Sequence, residues 1–104
     1  MAQFDVFVNP VPQARRAYPY VAVLQSDTAD TGRERIVAPL VPKARLPGTA
    51  GRLTPLVRVS DVEHVLLVHN LAGIAAGELR ELRGHLITYR EAIVAALDYL
   101  FLGV

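Results

Sequence analysis

Cysteine is absent from this 104-residue sequence, which excludes disulfides, thiolate metal sites and a cysteine nucleophile. Serine occurs only as Ser26 and Ser60, each followed by aspartate in a polar stretch. A Ser-Asp pair of that kind reads as a turn whose side chain bonds nearby backbone, rather than as a catalytic group. No stretch supplies the ~20 apolar residues that a spanning helix needs, because Arg90, Glu91 and Asp98 interrupt the most apolar one. The opening MAQFDVFVNP lacks the basic start and long apolar run of a secretory signal, so the expected location is cytoplasmic. Lys43 is the single lysine; the other cationic side chains are arginines.

What is present suits one folded domain over residues 1–104, with 52% hydrophobic and 20% charged residues. A net charge of +1 argues against nonspecific nucleic-acid binding as the main activity, and no direct sequence-specific contact with nucleic acid is expected of the protein alone. The charge is divided unevenly. Residues 1–59 carry eight Arg or Lys against four Asp or Glu, and residues 60–104 three against six. Arginine favours bidentate contacts to carboxylates, so an acidic peptide suits the first half as a partner. A solvated basic face accounts for the same pattern equally well.

Groups for chemistry are sparse. His64 and His69, five apart on one expected strand, point to opposite faces and make a poor metal pair, and His85 has no carboxylate at ligand spacing. Surface or hydrogen-bonded histidines are the simpler reading, with no metal and no cofactor. Gly48 and Gly51 are not followed by the Lys-Ser or Lys-Thr of a phosphate loop. Tyr18 and Tyr20 beside Arg15 and Arg16 form one short aromatic and basic cluster, which turn packing explains as well as base stacking.

Along the chain, residues 3–8 (QFDVFV) alternate, which places Phe4, Val6 and Val8 on one buried strand face. Residues 9–19 hold three prolines and read as a stiff loop; 20–25 (YVAVLQ) is a second strand, and 26–35 a polar connection. Residues 36–41 suggest a third strand, ended or made an edge by Pro39 and Pro42, followed by an exposed loop over 43–52. Residues 56–59 and 63–69 suit an antiparallel hairpin around Ser60-Asp61-Val62. Residues 71–84 are ambiguous, with a single helical turn available through Glu78, Leu79, Leu82 and Arg83. The sum is an α+β fold, an antiparallel sheet or small barrel of about five strands carrying one helix.

That helix is the most legible element. Thr88 and Glu91 have capping-box spacing, and Ile93, Ala96, Leu97, Leu100 and Phe101 recur at steps of three and four. Gly103 sits where a helix end wants positive φ. The tip Leu102-Gly103-Val104 with its terminal carboxylate can plug the core or be presented to a partner. Helix electrostatics suit a partner offering an arginine.

The spaced residues Gln25-Ser26-Asp27, Asp30-Thr31, Arg35, Val37 and Pro39-Leu40 form the pattern QSD-x-x-DT-x-x-x-R-x-V-x-PL. Together with the initial QFDVF and an ending Phe-x-Gly-aliphatic, the pattern resembles the CcdB family of bacterial toxins over nearly the whole chain, most strongly from Val21 to Leu40. The resemblance implies an SH3-like barrel with a C-terminal helix, of the kind MazF-like toxins share, and a homodimer without catalysis. It implies the toxin of a type II toxin–antitoxin pair, associated with plasmid maintenance and autoregulated transcription, from a plasmid or a chromosome. Such a toxin binds the A subunit of DNA gyrase and traps it on cleaved DNA. A CcdA-like antitoxin neutralises it through a disordered segment that folds along the toxin.

Residue by residue, the family's Trp-Gly-Ile tip falls on Leu102, Gly103 and Val104. Arg90, Glu91, Ala95 and Asp98 occupy the accompanying helix face, where relatives carry mostly Glu and Asn. The basic loops, with Arg15, Arg16, Lys43 and Arg45, become candidate antitoxin surfaces. Two alternatives stand beside gyrase poisoning: a toxin-fold module that binds antitoxin or regulates without poisoning, and a MazF-like endoribonuclease using Arg33 and Arg35 as cations.

Overall fold

The continuous apolar run Val21-Ala22-Val23-Leu24 can be buried on both faces of a strand only if the sheet is covered on both sides. The computed structural model, which describes residues 1–46, 48 and 51–104, has that arrangement. Its strands are β1 (Asp5–Val8), β2 (Tyr20–Val23), β3 (Glu34–Pro42), β4 (Leu56–Val59), β5 (Val62–Leu66), β6 (Ala72–Ala75) and β7 (Leu82–His85). One helix, α1 (Arg90–Leu102), follows. All pairings are antiparallel, in the order β4-β5-β3-β2-β1-β7, with β6 also on β3. The sheet curls so that β4 approaches β7, and α1 packs into the half-barrel.

The inner core joins Phe4 and Val6 to Ala22, Leu24, Leu40, Leu66, Leu86, Ile93 and Ala96. On the opposite face, Phe7, Val21, Val23 and Val37 are covered by Leu79, and Val41, Val65 and Leu67 by Tyr18 and Leu46. The strand at the start of the chain is therefore buried on both sides, not on one. Phe4 has φ 73° while almost wholly buried, a left-handed conformation that costs an L-residue about 1–2 kcal/mol. Three contacts hold it there: its ring in the core, its N–H donating to the Val23 carbonyl (2.6 Å) and its carbonyl accepting from Leu86 (2.9 Å).

Several expectations are corrected. Among the described residues seven strands form rather than about five, since β6 and β7 arise in the stretch 71–84 that the sequence left ambiguous; no helical turn runs through Leu82 and Arg83, and Ala76–Glu78 makes a 3-10 turn. Pro39 lies in the middle of a nine-residue central strand, not at an edge. Along one side of β3, β6 pairs Glu34 to Val37 and β5 pairs Leu40 to Pro42, so Pro39 falls in the gap between the two partners. Its carbonyl accepts from Leu67 on that side, and its missing N–H falls where no ladder bond is required.

The capping box does not form either: Tyr89 precedes α1 without a side-chain cap bond. Thr88 lies inside a 3-10 turn, Ile87–Tyr89, whose Tyr89-to-Leu86 and Arg90-to-Ile87 bonds already occupy amides that a cap would serve. The hairpin expectation holds, with Ser60 (φ 51°) and Asp61 (φ 65°) forming a two-residue turn of the type I′ kind. The expected loop over 43–52 begins with a 3-10 turn, Lys43–Arg45, and its positions Pro47, Thr49 and Ala50 lie outside the described residues.

Candidate functional site

The core anchors one face of α1 as far as Leu100. Ile93 and Ala96 are fully buried, Leu97 and Leu100 pack at the edge of the core, and Phe101, expected on the buried face, is 66% exposed. Beyond them, Leu102 is 71% and Val104 73% exposed. Gly103 takes φ 74°, and its N–H closes back on the Tyr99 carbonyl at 3.1 Å, so the chain turns sharply off the helix end. Phe101, Leu102 and Val104 thus leave contiguous apolar side chains in water at the end of the helix. The tip is presented, not plugged into the core.

Helical spacing sorts the rest of that face. Glu91, Asp98 and Leu102, seven and four apart, share one side, and all three are exposed. Arg90 is exposed as well, but lies about 100° round the helix from Glu91, toward Phe101. Another stripe runs through Ala92, Ala95, Tyr99 and Leu102, facing the segment 51–56. On it, the Arg52 guanidinium lies 3.9 Å from the centre of the Tyr99 ring, a cation–π contact that the spacing of the sequence did not announce.

The basic loops meet in part. An Arg45 Nη donates to the Arg16 carbonyl, bringing the loop after β1 against the turn Lys43–Arg45. Lys43 is half-buried at the start of that turn. Arg15 turns elsewhere: its Nε donates to the Asn9 carbonyl (2.6 Å), and it lines a cavity of about 320 Å³ with Glu78, Arg80 and Glu81. The Arg16 backbone and the turn carrying Lys43 and Arg45 are thus adjacent, while Arg15 lines a separate cavity of mixed charge.

The residues that carried the family pattern hold a loop together. The Gln25 side chain accepts from Ile36 N–H (2.7 Å) and donates to the Ala29 carbonyl (3.2 Å). Asp27 accepts from the Gln3 amide (2.7 Å), Asp30 from Gly32 (2.9 Å), and the Thr31 hydroxyl donates to the Glu34 carbonyl (2.6 Å). Arg35 braces the same turn through the carbonyls of Gly32 and Glu34, and Arg33 is exposed. A cavity of about 240 Å³ does gather Ser26, Asp27 and Arg35, but Ser26 bonds Thr28, so each of its polar groups already serves the loop.

The histidines are separate. His64 is buried with Nδ1 2.8 Å from the Val62 carbonyl, His69 is exposed, and His85 pairs with Asp5 across the sheet at 2.7 Å. That last carboxylate is 80 positions away in sequence, beyond any local spacing rule. Among the described residues, no group of three His, Cys, Asp or Glu could hold a metal ion, and no helix is long and apolar enough to cross a membrane.

No curated protein matches the chain. One family profile, described as CcdB protein, matches residues 3–103, which takes in the bonded loop, the curled sheet and the helix with its glycine turn. The chain belongs to the CcdB family, the toxins of toxin–antitoxin systems.

Proposed function

We propose that this protein is a gyrase poison: it binds the A subunit of DNA gyrase through the tip of α1 and holds the enzyme on cleaved DNA, with no chemistry of its own. The observation that carries this reading is the exposed apolar tip Leu102-Gly103-Val104, set off a helix whose inner face is anchored in the core as far as Leu100. Glu91 and Asp98 on the same side supply polar contacts beside Leu102, and Arg90 contributes from the neighbouring side. Leucine fills apolar volume at the position where the family carries tryptophan.

In the same reading the protein acts in the cytoplasm as a homodimer. A CcdA-like antitoxin neutralises it on the adjacent basic loops of Arg16, Lys43 and Arg45, with Arg15 at the margin, and the pair represses its own transcription. Arginine-rich surfaces of this kind suit the carboxylates of an acidic segment.

The test is a cleavage assay on supercoiled plasmid with gyrase and ATP, scoring linear DNA after protease treatment. Linear DNA that depends on the protein, and disappears when Gly103 and Val104 are deleted while circular dichroism is unchanged, is the expected result. Absence of linear DNA with gyrase from the source organism overturns poisoning and leaves the antitoxin-binding module. Loss of fold on deletion would make the tip part of the core.

A further inference from the structure

Between α1 and the segment 51–56 lies an open cavity of about 260 Å³, lined by Gly51, Arg52, Pro55, Leu56, Ala92 and Ala95. Its walls are aliphatic, and Ala92 and Ala95 keep it open, since larger side chains at those helix positions would fill it. A site for a cofactor or a drug-sized ligand begins near 300 Å³ and goes well beyond, so this one suits a single side chain.

At its rim stands Arg52, exposed but not adrift. Its guanidinium is fixed by stacking on Tyr99 at 3.9 Å. Stacking uses the face of the guanidinium and leaves the N–H groups in its plane, and among the described residues these make no hydrogen bond or ion pair. A guanidinium held in place with its fork of donors open is preorganised for a carboxylate, which it can take bidentately. Glu91 and Asp98 do not line the cavity; by helical spacing they lie on the exposed side of α1 next to Ala95, where they repel a second acid.

We propose that this groove is a docking site for a peptide segment that places an aliphatic side chain between Pro55, Leu56, Ala92 and Ala95 and an adjacent carboxylate on Arg52. The charge pattern fixes the occupant's chemistry. The acid must face segment 51–56, and neutral or basic groups must face Glu91 and Asp98. Tyr99 is a positioning residue, acting through the orientation it gives Arg52. The site shares Ala95, Glu91 and Asp98 with the helix face beside the tip but not Gly103, Val104, Arg16 or Arg45, and it rests on the cavity, Arg52 and Tyr99 whether or not gyrase is the target.

The experiment is an NMR titration of the full chain, labelled with nitrogen-15, with the peptide acetyl-Lys-Leu-Asp-Leu-Lys-amide, and with its Asp-to-Asn analogue as the control. Saturating shifts at Gly51, Ala92, Ala95 and the Arg52 Nε are expected for the first peptide. The Asn analogue, and the variant R52Q with the first peptide, are expected to bind on the order of tenfold more weakly or less. Tyr99→Leu keeps the charge but frees Arg52, and is expected to weaken binding without altering the fold, read by the unchanged amide spectrum of the sheet. Ala95→Phe fills the groove and is expected to abolish binding while preserving the cation–π pair. Equal affinity for both peptides, indifference to R52Q, or absence of shifts at millimolar peptide would each overturn the proposal.

Discussion

Gly103 and Tyr89 mark the two ends of α1, and each fixes it by one backbone relation. At Gly103 the left-handed turn is free for glycine and costs a β-branched residue about 1–2 kcal/mol. Gly103→Val is therefore expected to redirect the tip and reduce gyrase cleavage sharply, while thermal unfolding changes little because no core side chain is involved. At Tyr89 the phenol oxygen accepts from the Arg58 amide at 3.1 Å, tying the start of the helix to β4. Tyr89→Phe removes one hydrogen bond of about 1 kcal/mol, a drop in Tm of roughly 4–8 °C by calorimetry. Leu102→Trp restores a ring able to stack on a guanidinium, worth roughly 0.5–2 kcal/mol. The expected gain in affinity for the gyrase A subunit is about 2- to 30-fold by isothermal titration.

Elements differ in how plainly they were written. The helix was legible because Ile93, Ala96, Leu97 and Leu100 repeat at the helical period, and Gly103 marks its end. Its beginning was not, since T-x-x-E spacing cannot reveal that a 3-10 turn already occupies those amides. Strand β6 was hidden for a different reason. Ala72-Gly73-Ile74-Ala75 has little β propensity of its own, and its extended form is imposed by pairing with Glu34 to Val37. Pro39 misled because a missing donor was taken to mean an edge, when a change of partner along one strand satisfies the same rule. The β4–β5 hairpin was legible in place but not in strain. Ser60 and Asp61 both adopt positive φ, so replacing them with Asn-Gly is expected to raise stability by roughly 1 kcal/mol, measured by urea unfolding.

For the molecule as a whole, the site was legible only where the family pattern supplied positions. Nothing in the spacing of the tip distinguished a plug from a presented surface; burial of Ile93 and Ala96 against exposure of Leu102 and Val104 decided it. The pattern's most specific residues, Gln25, Asp27, Thr31 and Arg35, report the fold of a loop and not a contact. Arg52 over Tyr99, 47 positions apart, could be found only in three dimensions. An apolar tip of this size also bears on association. Sedimentation at micromolar concentration is expected to give twice the monomer mass, and a monomer would remove the homodimer from the proposed function.

The pairing of β1 with β7 sets Asp5 opposite His85, 80 positions further on, and Phe4 accepts from Leu86. Every strand precedes α1 in the order of synthesis, yet the first strand cannot complete its neighbours until the last has left the ribosome. Contacts of such long range place folding toward the slow end, milliseconds to seconds. The tip of α1 has no platform before that closure, because Ile93 and Ala96 pack on the strands it completes. A chain broken off before β7 carries neither the closed sheet nor the helix, so the tip is presented only once the whole sheet has closed.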